Sequence, residues 1–142
     1  MGHQMRTFGA TTVMGALLGG SLLGCTTNLQ DPDTPAGVPN YVVEEEAGGP
    51  DMALEGQIAE LDGCFYIKGP EPEEQLTLAI FPAHEIHETS SGSGFAFRGE
   101  AFSDGDGITV GGGEAGPTIY AVPDQCDDEV QQWRVTPSTP AP

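Results

Sequence analysis

Between residues 52 and 135 the chain is written in short runs. Gln57-Ile58-Ala59-Glu60-Leu61 alternates polar with apolar, Cys64-Phe65-Tyr66-Ile67 is rich in β-formers, and Leu76-Thr77-Leu78-Ala79-Ile80-Phe81 is an apolar run that ends at Pro82. Gly94 to Phe97, Ile108 to Val110, Thr118 to Val122 and Val130 to Val135 repeat the pattern. Alternation with period two and enrichment in β-branched and aromatic residues predict strands. Turn-forming residues punctuate them: Asp62-Gly63, Gly69-Pro70, Ser91-Gly92-Ser93-Gly94, Asp104-Gly105-Asp106-Gly107 and Pro123-Asp124. Each supplies the positive φ or the missing N–H on which a strand stops. Short strands with no helical period predict an all-β fold, a small β-barrel or alternatively a small β-sandwich of residues 52–135. One helical turn is expected, from Pro82 to Glu88.

The flanks read differently. Residues 25–51 scatter Pro32, Pro35, Pro39 and Pro50 among acidic and small residues, including Glu44-Glu45-Glu46. That composition buries too little apolar surface to offset chain entropy, so an acidic, extended tether is expected there. Residues 136–142, with Pro137, Pro140 and Pro142, are expected to be a frayed tail.

Residues 1–24 form a third kind of segment. Arg6 is followed by an uncharged, Gly-rich apolar stretch that ends in Leu22-Leu23-Gly24-Cys25. A positive start and an apolar stretch of this length outline a secretory signal. A spanning helix is the competing reading, but five glycines between Gly9 and Gly24 lower both helicity and hydrophobicity. Leu22-Leu23-Gly24-Cys25 resembles the lipobox of bacterial lipoproteins. The resemblance implies cleavage before Cys25, diacylglycerol and further acylation (palmitate-like chains) on Cys25, and an extracytoplasmic chain anchored to the membrane. Each buried CH2 adds on the order of 0.8 kcal/mol of anchoring, so several chains on one residue hold firmly. Thr26 follows the cysteine, which in a two-membrane bacterium resembles proteins sent to the outer membrane.

Composition narrows the partners. With 22 acidic residues against 4 Lys+Arg the formal charge is −18, which excludes nucleic acid, whose binding needs basic side chains against phosphate. A cationic protein or peptide suits such a surface. With Cys25 assigned to lipid, Cys64 and Cys126 remain; they can pair as a disulfide in an oxidising compartment, with free or metal-bound thiols as the alternative. The order DGCFYI, LAIFP, GDGITVGGG, then a cysteine and VQQWRV also resembles small β-barrel domains of secreted and lipid-anchored actinobacterial proteins, OB-like in outline. That resemblance implies a fold and carries no activity.

Candidate chemistry is sparse. His84, His87 and Glu88 are the one cluster of metal-ligand residues; on a helical turn the two imidazoles would share a side, on a strand they would face apart. The spacing is not HExxH. Solvated loop histidines are the plainer reading, and a metal-dependent hydrolase or metal-binding protein the alternative. Gly111 to Gly116 satisfies GxGxxG formally, but Pro117 follows where a phosphate-binding helix would start. Asp104 and Asp106 have calcium-like spacing without the glycine and glutamate of an EF-hand loop. Tyr66 and Trp133 are core residues or line a groove. No GxSxG elbow occurs. The expectation is a non-enzymatic envelope lipoprotein without cofactor, presenting a small barrel as a binding or accessory module.

Overall fold

The computed structural model describes residues 34–44 and 49–138, so Cys25 and residues 1–24 lie outside the described residues. Nine strands run in chain order: β1 (Asn40–Tyr41), β2 (Met52–Leu61), β3 (Cys64–Lys68), β4 (Leu76–Pro82), β5 (Ile86–His87), β6 (Phe95–Phe97), β7 (Glu100–Phe102), β8 (Gly107–Glu114) and β9 (Gln132–Val135). The all-β fold stands. Asp62 and Gly63 both have positive φ, 52° and 82°, as a two-residue hairpin between right-twisted strands requires. They set β2 against β3 in a register running from Leu61↔Cys64 to Gln57↔Lys68.

The pairings close on themselves. β2 pairs antiparallel with β3, β3 with β4, β8 with β9 and β8 with β2, and a parallel pairing of β4 with β9 completes a five-strand ring. Ile58, Phe65, Ile67, Ala79, Phe81, Ile108, Val110, Trp133 and Val135 belong to one buried cluster. β5, β6 and β7 form a separate small sheet. Its Ile86, Phe95, Phe97 and Phe102 join that cluster, with Phe95 5.3 Å from Phe65 and 5.4 Å from Phe81 between ring centroids.

β3 and β4 are buried on both faces, which explains their nearly unbroken apolar runs. Cys64, Tyr66, Leu78 and Ile80, alternating with the inward residues, pack in a second cluster with Tyr41, Val43, Tyr120, Val122, Cys126 and Val130.

That second cluster corrects the expected tether. Residues 34–44 are part of the fold: β3 and β4 pair only at Ile67↔Thr77 and Lys68↔Leu76, and residues 37–41 occupy the seam beyond. Phe65 N–H donates to the Gly37 carbonyl and Phe81 N–H to the Pro39 carbonyl, both at 3.0 Å. β1 then runs parallel to the end of β4, Asn40 beside Phe81 and Tyr41 beside Pro82. Val38 enters the first cluster and is fully buried. The expected tail is corrected in part: Pro137 is buried and Ser138 bonds to Glu85.

Other expectations also fail locally. Thr118 to Val122 makes no strand; Thr118 has a positive φ of 63°. The buried Gln132 amide takes the place of a neighbouring strand, accepting from Tyr120 N–H at 2.8 Å and donating to its carbonyl at 3.0 Å. The helical turn shrinks to a 3-10 turn at Ala83–Glu85, after which Ile86 and His87 are already extended.

Tyr41 ties the seam to β9 on the other side of β4, its hydroxyl donating to the Val135 carbonyl at 2.8 Å. Burial, partly opposed by Arg134, pushes its phenol up to about 12. Because the neutral form is favoured in the fold, this stabilisation is intact below pH ~10, the ordinary tyrosine value, and is lost as pH climbs toward about 12. A 295 nm titration of the folded chain should therefore differ from that of the unfolded chain in showing the Tyr41 ionisation displaced toward pH about 12. Tyr41→Phe should abolish that difference; a normal titration of Tyr41 in the folded chain would contradict the hydrogen-bonded, buried phenol.

Candidate functional site

The structure joins one pair of the sequence-derived residues. Cys64 and Cys126 form a disulfide, with Cα atoms 5.1 Å apart, tying β3 to the long connection between β8 and β9. Tyr66 and Trp133 are core residues; the Tyr66 hydroxyl accepts the Asp127 N–H at 2.9 Å.

The metal expectation is not supported by placement. His84 sits on the 3-10 turn, His87 is exposed on β5 and Glu88 follows it. Among the described residues no three His, Cys, Asp or Glu side chains come together as a metal-holding group. The change from turn to strand inside this pentapeptide separates side chains that one helical turn would have aligned. Asp104 accepts from Glu60 N–H of β2 and Asp106 from Ser103 N–H of its own turn, each at 2.8 Å. Gly111 to Gly113 lie within β8, where Gly112 lets the backbone pass Arg134 and Trp133: a Cβ there would fall 2.0 Å from the Arg134 carbonyl oxygen.

Among the described residues one carboxylate is buried, and sequence reading missed its role. Glu85, 6% exposed, faces Arg98, whose Nε is 3.3 Å away, and accepts the backbone N–H and the hydroxyl of Ser138. Burial alone would raise its carboxyl, but the bonds from Ser138 and the Arg98 guanidinium outweigh it and hold the carboxyl below the ordinary range. Arg98 also donates to the Thr136 carbonyl at 2.9 Å and lies over the Phe97 ring. The group fastens residues 136–138 to the 3-10 turn.

The surface feature best suited to binding lies at the start of β2. From Met52 to Gln57 the strand pairs with β8 on one side, but on the other its pairing with β3 stops at Gln57↔Lys68. Ile58 directs both its N–H and its C=O toward the residues preceding β8, bonding Asp106 and Gly105. Direction alternates along a strand, so Ala53 and Glu55 point theirs the other way, to an edge that no described residue pairs. Two clefts flank that edge. One of about 340 Å³ is lined by Leu54, Ile67, Pro70 and Thr77 among others. The other, of about 700 Å³, carries Glu55, Glu71 and Glu74 with Lys68. Lys68 stands 4.0 Å from Glu74, so carboxylates outnumber cations in the second cleft. Comparison with known proteins finds no family model, no curated protein and no solved structure that matches this chain.

Proposed function

We propose that this chain is a non-enzymatic cell-envelope lipoprotein, anchored through acyl groups on Cys25, that presents its disulfide-bonded barrel as a binding module. The observation that carries this reading is the Leu22-Leu23-Gly24-Cys25 signal after an apolar, Gly-rich start. Two features support it. The Cys64–Cys126 bond suits an oxidising, extracytoplasmic compartment. The barrel's exposed start of β2 offers backbone and side-chain groups to a partner, and the strongly acidic chain favours a cationic one over nucleic acid.

Intact-mass measurement of the protein extracted from its native membrane tests the anchor. The expected mass corresponds to a chain beginning at Cys25 plus acyl groups, with the acyl increment absent from a Cys25→Ala variant. A chain that keeps residues 1–24 unmodified would overturn the reading.

A further inference from the structure

We propose that the open edge of β2 at Ala53 and Glu55 accepts a short extended peptide, of alternating basic and apolar residues, as an added strand. This deepens the binding-module reading and rests on it.

Strand addition needs three things: unpaired main-chain groups on a sheet edge, room beside it, and side-chain sites that alternate between the two faces. Ala53 and Glu55 supply the first, since their N–H and C=O groups point away from β8. The two clefts supply the room. They share Glu55, Gly69 and Pro70 but differ in character: Leu54, Ile67 and Thr77 line only the first, and Glu71, Glu74 and Lys68 only the second, while consecutive β2 side chains stand on opposite faces. A residue of the incoming strand on the Leu54 side meets Ile67 and the Thr77 methyl, which suits an apolar side chain. Its neighbour on the Glu55 side meets Glu71 and Glu74, which suits Lys or Arg. Met52, 63% exposed at the head of the strand, extends the apolar contact.

Charge selects the occupant. Most sheet edges are protected against self-pairing by charged side chains, and Glu55, Glu71 and Glu74 do this here. A second copy would bring like charge to like charge and be repelled. A basic peptide reverses the sign of that interaction while using the same main-chain groups.

The test uses the full-length chain in detergent micelles, isotope-labelled for NMR, and a short capped peptide alternating lysine and valine. Expected are shift changes at Ala53, Glu55 and the 68–75 segment, with a dissociation constant that rises at least about tenfold for Glu55→Lys and for Ala53→Pro. Proline at position 53 removes the outward N–H and leaves the bonds to β8 in place. Glu55 is an exposed residue, so its variant keeps the fold should proline disturb it. The same peptide with N-methylated backbone amides should not bind. Equal binding of the methylated peptide would overturn strand addition in favour of charge attraction alone. Shift changes confined to other surfaces, or no binding, would also overturn it. Intact mass on the same sample separates the two readings: an acylated chain that ignores the peptide overturns the added strand only, and a non-acylated chain that binds it overturns the anchor only.

Discussion

A chain that starts at Met52 should fail to fold cooperatively, whereas one that starts at Thr34 should unfold with a single sharp transition. The shorter chain lacks the residues that fill the seam between β3 and β4. With them go the full burial of Val38 and the near-full burial of Tyr41 and Val43. At roughly 1.5–3 kcal/mol for each large apolar side chain buried, the loss is about 5–9 kcal/mol, comparable with the whole stability of an ordinary small domain. It also strands the Phe65 and Phe81 N–H groups, whose acceptors are the Gly37 and Pro39 carbonyls, inside the wall of the ring, where an unpaired donor costs a further ~1–3 kcal/mol. Urea unfolding followed by far-UV circular dichroism decides the matter. A point variant checks the same seam without deleting anything. Gly37 has φ +78°, and a Cβ there would fall 1.8 Å from the Gly63 carbonyl oxygen. Gly37→Ala should therefore lower the midpoint of the longer chain by the equivalent of about 2 kcal/mol. A Met52 chain with an unchanged midpoint would mean that the seam residues merely rest on a barrel complete without them.

The seam shows where sequence reading loses its grip. β2, β3, β4, β6, β8 and β9 are legible, β8 only over Ile108 to Val110, because each carries a run of β-forming residues and most are bounded by turn chemistry, the Asp62-Gly63 hairpin above all. β1 and β5 have two residues each, and β7 three; periodicity cannot show in two positions. Residues 34–44 were hidden by composition. Their prolines and acidic neighbours read as an unstructured spacer, yet Pro35 and Pro39 contribute carbonyls to the fold and need no N–H. Thr118 to Val122 deceives in the opposite direction: its Tyr120 and Val122 side chains serve as cover for β3 and β4, while the Gln132 amide pairs the Tyr120 backbone. Chemistry behaves in the same way. The Cys64–Cys126 bond is accessible to counting once Cys25 is assigned elsewhere. Glu85 and Arg98 meet only because β5 and β6 pair, bringing together residues 13 positions apart, and the open edge at Ala53 and Glu55 exists only because β3 ends its pairing at Lys68. Both depend on register, which no single run of residues encodes.

Removing the disulfide should be the other large loss. Cys64 and Cys126 close a loop of 62 residues, and loop entropy puts the stabilisation at about 4 kcal/mol. For a domain of this size that corresponds to a fall in Tm of about 20 °C. Geometry adds a local consequence. Cys126 belongs to the connection between β8 and β9, whose Tyr120, Val122 and Val130 cover the outer face of β3 and β4. Without the bond, that cover is held by side-chain packing and by a few contacts such as the Asp127 N–H to Tyr66 hydrogen bond, so it should lift before the ring opens. The Cys64→Ala/Cys126→Ala double variant is therefore expected to bind a hydrophobic dye below its unfolding transition, and the oxidised native chain is not. Hydrogen exchange should place the early loss of protection in residues 118–131 and spare β2 and β8. A double variant whose Tm falls by only a few degrees would show that packing alone holds the cover. Together with a seam worth about 5–9 kcal/mol, a bond worth about 4 kcal/mol makes up most of the margin of a small domain, so its reduction should leave the outer face of β3 and β4 open. On that expectation the cover over β3 and β4 holds only while the Cys64–Cys126 bond stays oxidised.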